Sequence, residues 1–276
     1  MSIINRLPDE ALTDLINSVN QRYGYDFTQY SKASLERRVA SFMYKRKFSD
    51  FADVKTALLE DRFLFNTFVE DITVNVTEMF RDPAFYKTLR ETIIPVLATY
   101  PFIRIWHAGC SSGEEVYSMA ILLKEAGILH KSLLYATDLN QTVLESAKKG
   151  IFKGSHMQQY SINYMAAGGQ KDFSDYYTSN YNLAKFDESL TRRMVFSTHN
   201  LVSDSSFNEF QLILCRNVLI YFEKELQSKV LQLFDKSLDT LGYLALGTKE
   251  SLKFSAIAPQ YVQVSNKEKI WRKHQS

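Results

Sequence analysis

At 276 residues, 45% of them hydrophobic, the chain has enough apolar material for a sizeable core and exceeds the usual single-domain size. Its 33 basic and 31 acidic residues leave a net charge of +2, which gives no global basic field to argue for nucleic acid. Cys110 and Cys215 suggest neither a disulfide scaffold nor a metal site, and no apolar run approaches the ~20 residues of a membrane span. The N-terminus lacks a positive region followed by an apolar stretch, so a cytoplasmic location is expected.

Pro8 and Asp9 open a helix in which Leu12, Leu15, Ile16 and Val19 recur at helical spacing, and Gly24 closes it. A second helix follows Ser31, with Leu35, Val39, Phe42 and Met43 on one side. Arg37, Arg38, Lys45, Arg46 and Lys47 crowd its other side and its end. That basic helix has two readings: a docking face for an acidic partner, or a solvated face whose C-terminal cations favour the helix dipole. Two further helices, near residues 51–59 and 63–74, complete an all-helical lobe of roughly 75 residues.

Next comes Asn75-Val76-Thr77-Glu78-Met79-Phe80-Arg81-Asp82-Pro83, in which Asp82 is expected to cap a helix opened by Pro83. An extended backbone over this junction would aim Asn75, Thr77 and Arg81 to one side. Arg81 could then pair with the carboxylate of an amino-acid cofactor.

Residues 103–108 read as a buried strand that runs through Gly109-Cys110-Ser111-Ser112-Gly113 into a helix starting at Glu114 and Glu115. Two glycines let backbone approach a ligand, and the helix start offers unpaired N–H groups. About thirty residues on, a second apolar run, 133–137, ends on Asp138, whose carboxylate can take both hydroxyls of a ribose. The loop is neither G-x-G-x-x-G nor a triphosphate loop. A cofactor without a pyrophosphate is favoured, and S-adenosylmethionine fits.

A helix near residues 141–148 leads into a Tyr-, Ser- and Gly-rich segment, 151–193, too long for an ordinary loop. It reads as a small subdomain or a lid. Strands follow at 194–198, before His199-Asn200-Leu201, and at 210–214, before Cys215-Arg216-Asn217-Val218-Leu219-Ile220-Tyr221-Phe222. A helix over 223–240, a strand at 243–247 and an antiparallel pair at 261–264 and 269–272 close the chain.

Six ordered motifs carry a resemblance. They are Asn75 to Asp82, Ala108 to Glu115, Ala136-Thr-Asp-Leu-Asn140, Asn200-Leu201, Cys215 to Phe222, and Leu246-Gly-Thr-Lys-Glu-Ser-Leu252. Over nearly its full length the chain resembles the CheR family, the chemotaxis receptor protein-glutamate O-methyltransferases. The resemblance implies an α/β fold: a Rossmann-like S-adenosylmethionine-dependent methyltransferase domain (76–276), an all-helical N-terminal docking domain (1–75) and an inserted small β-subdomain (about 151–193). It implies that Asn75, Thr77 and Arg81 line the methionine portion of the cofactor and that Glu114 or Glu115 takes its amino group. Asp138 would hold the ribose and Asn200, Leu201 and Asn217 the adenine side, with Gly109 and Arg216 also counted as cofactor-binding.

The same resemblance favours the partner reading of Arg37, Arg38, Lys45 and Arg46, docking on the cytoplasmic domains of methyl-accepting chemotaxis receptors. Two departures stand out: residues 168–184 are longer and richer in tyrosine than the family pattern, and position 79 is Met where Phe is frequent. The expected chemistry needs no general base, because a glutamate of reference pKa about 4.3 is already ionised at pH 7. Arg81 and Tyr221 are the candidate catalytic residues, acting by positioning the acceptor. Two other readings stay open: a non-catalytic S-adenosylmethionine sensor, and a methyltransferase for another substrate.

Overall fold

The computed structural model describes residues 9–73 and 77–274. The chain divides into two compact units, Met1–Asn75 with Tyr221–Lys229, and Val76–Ile220 with Val230–Ser276.

In the first unit four helices form where apolar residues recur at helical spacing: α1 (Asp9–Tyr23), α2 (Lys32–Arg46), α3 (Phe51–Glu60) and α4 (Arg62–Ile72). Asp50 and Asp61 cap α3 and α4, accepting from Ala52 N–H and from Phe63 and Leu64 N–H. The inner faces are aromatic, with Tyr23 stacked on Phe65 at 3.9 Å and Phe42 edge-on to Phe68 at 5.2 Å. Each fully buried ring among them, Phe42, Phe65 and Phe68, contributes about 1.5–3 kcal/mol. The later segment joins this unit through Glu223 N–H, which donates to Gln29 O at 2.9 Å, and through the rings of Tyr30 and Phe222 at 4.9 Å.

The second unit is built on a seven-stranded sheet. Its strands are β1 (Ile103–Ala108), β2 (Ser132–Asp138), β6 (Met194–Thr198), β7 (Phe210–Cys215), β8 (Leu238–Leu246), β9 (Tyr261–Ser265) and β10 (Ile270–Lys273), in the order β6-β2-β1-β7-β8-β10-β9. The first five lie parallel, and β10 and β9 are antiparallel. β7 is buried at every position, which is why its residues read as a continuous apolar run. The helices of this unit include α5 (Pro83–Thr88), α6 (Ile94–Leu97), α7 (Glu114–Glu125) and α8 (Gln141–Lys149). This is a Rossmann-like arrangement.

Residues 151–193 contain a three-stranded antiparallel sheet, order β3-β5-β4, made of β3 (Ile151–Lys153), β4 (Tyr177–Asn180) and β5 (Leu183–Phe186). They also contain α9 (Met157–Ala166) and the short α10 (Glu188–Thr191). Phe152 and Phe186 lie edge-on to Tyr117 of α7, at 5.2 and 5.5 Å. The insertion therefore shares the unit's main core.

Three local expectations are corrected. The helix after Tyr221, α11 (Lys224–Ser237), ends three residues before 240, because Leu238 pairs with Phe210 of β7 and starts β8. There, pairing with a buried strand overrides local helical character. The junction before Pro83 does not stay extended: it turns at Met79 and Phe80, both fully buried, with Phe80 at φ 51°. Asp82 does occupy the N-cap position of α5, at φ 58°, but its side chain caps nothing and pairs with Arg216 instead.

Candidate functional site

β1 pairs with β2 on one side and β7 on the other, and the strand order reverses there, the chain running out to β2 and β6 on one side and then to β7 and β8 on the other. The carboxyl end of β1 is the topological switch point where open α/β sheets hold ligands. The loop there is pinned to the neighbouring strand, since Gly109 and Cys110 N–H both donate to Thr137 O, at 2.8 and 2.9 Å. Gly109 (φ +78°) and Gly113 (φ +95°) are required by space as well as by backbone. An added Cβ would stand 2.5 Å from Val218 Cγ2 in the first case and 2.9 Å from Ala147 Cβ in the second. Four of the eight left-handed non-glycine residues among those described, Phe80, Asp82, Ser111 and Asn217, flank the carboxyl ends of these strands. Each costs about 1–2 kcal/mol, a concentration of strain typical of functional edges.

Asp138 closes β2 and is buried. Its Oδ2 accepts from Ser111 N–H at 2.8 Å and its Oδ1 from Asn140 N–H at 3.0 Å. Burial pushes this carboxyl above its usual range, and the backbone donors only partly offset that. Each oxygen keeps acceptor capacity, so the group is fixed in the orientation a diol needs.

The adjacent acids at the start of α7 divide sharply. Glu115 is spoken for: its Oε1 lies 2.8 Å from His107 Nδ1 and its Oε2 accepts from Arg216 Nη1 at 3.4 Å. Burial raises its pKa, but the His107 and Arg216 partners outweigh this and hold it below the usual range. Glu114 accepts from Ser112 Oγ at 2.7 Å, from Tyr160 Oη at 3.4 Å and from its own backbone N–H. Burial raises it, and no cation among the described residues pairs with it.

The side chain of Arg216, a residue expected to bind the cofactor, is committed to protein partners. Its Nη2 donates to Asp82 Oδ2 at 2.6 Å, its Nη1 reaches Arg81 O and Glu115, and its guanidinium stands 4.0 Å over the Phe85 ring. The side chain is 3% exposed, so it acts as a buried tie between the loop after β7 and the segment carrying Arg81. Arg81 and Thr77 are partly buried in that segment, and Asn75 lies outside the described residues.

Asn200, after β6, spends its Oδ1 on Val202 N–H at 2.9 Å and its N–H on Asp204 at 2.8 Å, so it builds a turn that places Leu201. Asn217 is left-handed at φ 63° and donates its N–H to Glu250 Oε2 at 3.0 Å. Glu250 is the residue that sequence reasoning passed over. Buried four residues after β8, it also accepts from Gly247 N–H at 2.6 Å and Ile220 N–H at 3.3 Å, fixing the loop after β7. The only signal for it was its place inside the last of the six motifs.

The remaining candidates belong to the first unit. Tyr221 accepts at its carbonyl from Ser31 N–H at 2.8 Å, and the Arg38 guanidinium stands 5.7 Å from its ring centre. Arg38 Nη1 donates to Asp71 O at 3.1 Å, Lys45 pairs with Asp71 at 2.7 Å, and Arg46 lies over the Phe42 ring. Arg37 is exposed, with no ion pair among the described residues.

Two features fit S-adenosylmethionine: a pinned carboxylate suited to a ribose diol, and a second buried carboxylate with no cation paired to it among the described residues, suited to an ammonium group. A family model described as CheR methyltransferase, SAM binding domain, matches residues 75–269, and one described as CheR methyltransferase, all-alpha domain, matches residues 10–73. A Pseudomonas putida protein provisionally named methyltransferase Cher3 is 44% identical over 259 residues, covering 94% of this chain and 95% of that one. A chemotaxis protein methyltransferase of Listeria innocua is 31% identical over 237 residues, with 85% and 87% covered. One of Borreliella burgdorferi is 29% identical over 266 residues, with 91% and 90% covered.

Proposed function

The chain belongs to the CheR methyltransferase family, and from that membership we propose that it methylates glutamate side chains of methyl-accepting chemotaxis receptors, giving glutamate methyl esters and S-adenosylhomocysteine. Its cofactor is S-adenosylmethionine. The observation that carries the reading is the switch-point edge, where Gly109, Glu114 and Asp138 come together on the elements that the binding-domain model spans. The printed names of the Listeria and Borreliella relatives support a chemotaxis protein as acceptor.

When bound, the cofactor supplies a methyl group activated by a positively charged sulfur. Asp138 would hold the ribose hydroxyls and Glu114 the amino group, the choice between the two adjacent acids following from Glu115's prior commitment to His107 and Arg216. Gly109 and Gly113 let the loop after β1 turn and pack against Val218 and Ala147. Arg81 is held by the tie from Arg216 to its own carbonyl and to Asp82. The acceptor carboxylate arrives ionised, so these residues have a positioning task rather than a proton to move, and orientation of this kind supplies up to about 7–11 kcal/mol.

Arg81 and Tyr221 are the proposed positioning residues for the acceptor, and Arg37 with Arg46 the cations that α2 offers a receptor. Transfer of labelled methyl from S-adenosylmethionine to receptor-containing membranes, followed by mild alkali, tests the reading. Base-labile label on a receptor-sized band is expected. Base-stable label would move the acceptor to nitrogen, and no label alongside measurable cofactor binding would favour a sensor. For Tyr221→Phe, lower turnover with unchanged S-adenosylhomocysteine affinity is expected, and a loss of that affinity would reassign the residue to structure.

A further inference from the structure

The insertion carries one helix whose inner face meets the cofactor edge directly. On α9 the buried positions Tyr160, Asn163 and Tyr164 follow at i, i+3 and i+4, while Ile162 and Met165 face outward. Tyr160 Oη donates to Glu114 Oε1 at 3.4 Å and lies 3.3 Å from His156 Nδ1, one turn earlier. Asn163 Nδ2 donates to Met79 O at 3.0 Å and Glu78 Oε2 at 3.2 Å, and its Oδ1 accepts from Gln159 Nε2 at 2.9 Å. The helix is thus anchored at one point to the turn that leads into Arg81, and one helical turn away it touches the carboxylate proposed for the cofactor's amino group.

We infer that α9 is part of the cofactor-holding machinery, with Tyr160 as a positioning residue that orients the Glu114 carboxylate and Asn163 fixing the helix against the Met79 turn. The inference rests on the assignment of Glu114 made above. Ser112 holds Oε2 from the loop side, and Tyr160 holds Oε1 from the insertion. With both hydroxyls in place the carboxylate has one orientation, and their hydrogen bonds offset part of the burial that pushes it toward protonation. The titratable groups around the pair are His156 beside Tyr160 on α9, Glu78 before α5 and the Cys110 thiol of the loop.

The test is equilibrium binding of S-adenosylhomocysteine to Tyr160→Phe, Glu114→Gln and the double variant, from pH 5 to 8. Phe keeps the ring and removes one oxygen, and thermal melting checks that the fold survives. Glu114→Gln should weaken binding at least tenfold at pH 7, and Tyr160→Phe roughly threefold to tenfold. In the Glu114→Gln background the same tyrosine change should cost less than twofold. Losing the hydroxyl raises the carboxyl further, so the acid limb of binding should move to higher pH in Tyr160→Phe, with or without His156→Gln as control.

Additive losses, or a loss uniform with pH, would make Tyr160 mere packing and overturn the inference while leaving Glu114 in place. Unchanged binding by Glu114→Gln would overturn the Glu114 assignment itself, and the inference with it.

Discussion

Helix α7 begins on Glu114 and ends on Glu125, and both carboxylates are buried, yet their surroundings push them in opposite directions. Glu125 accepts from Arg90 Nη2 at 2.6 Å, Tyr176 Oη at 2.9 Å, Gln170 N–H at 3.0 Å and the Tyr164 hydroxyl. Burial raises its carboxyl, but these donors and the Arg90 charge more than reverse that and hold it below the usual range. Glu114 has two hydroxyls and, among the described residues, no cation paired with it, and burial leaves it raised. One end of the helix is a closed knot that joins the segment after α5 to the insertion. The other is an incomplete set, costly in the free protein, which the cationic ligand proposed above would complete.

The sharpest way to break this contrast is Glu125→Ala, which leaves Arg90, 15% exposed, without its partner. We expect a loss of about 3–5 kcal/mol in urea unfolding, with S-adenosylhomocysteine affinity of the folded fraction little changed. Arg216→Met should come close behind, since it strands Asp82 and Glu115 together, and it should weaken cofactor binding as well because the Arg81 segment is released. Glu114→Gln should do the reverse of Glu125→Ala. Its stability should stay within about 0.5 kcal/mol of the parent or rise, while binding falls.

The pH dependence sharpens the comparison further. Glu125, lowered in the folded state, stabilises above its unfolded value of about 4.3, and that contribution disappears as pH falls through the folded value. Glu114 and Asp138, raised, act with the opposite sign: their ionisation costs stability as pH rises through their folded values. Glu125→Gln should therefore flatten the acid limb of stability, and Glu114→Gln should steepen it. At the small end, Arg37→Ala on exposed α2 should change unfolding by less than about 0.5 kcal/mol while lowering methyl transfer to receptor membranes, which separates docking from folding.

Much of the fold was legible because its signals are local. The apolar spacing of α1 to α4, the all-apolar β7, the glycine loop after β1 and the acid ending β2 each sit within a dozen residues of what they specify. Asp138 was singled out that way, as a strand-terminal carboxylate opposite a glycine turn. Its hydrogen bond to Ser111 shows the turn and the acid built as one piece.

What the sequence could not decide is which polar group meets which across long separations. Glu114 and Glu115 are chemically equal neighbours, and they part only because His107 and Arg216, the latter 101 residues away, reach one and not the other. Arg216 looked available to a ligand until Asp82, 134 residues before it, took its guanidinium. Glu250 was one acid among many until the loop after β7 brought its N–H groups within reach. Tyr160 and Asn163 lay in an insertion with no motif at all. Backbone preference and hydrophobic period belong to neighbouring residues, so the chain determines its elements and its cofactor loop by itself. Buried polar partners must be found by whatever folding brings close, and only the tertiary structure makes that choice.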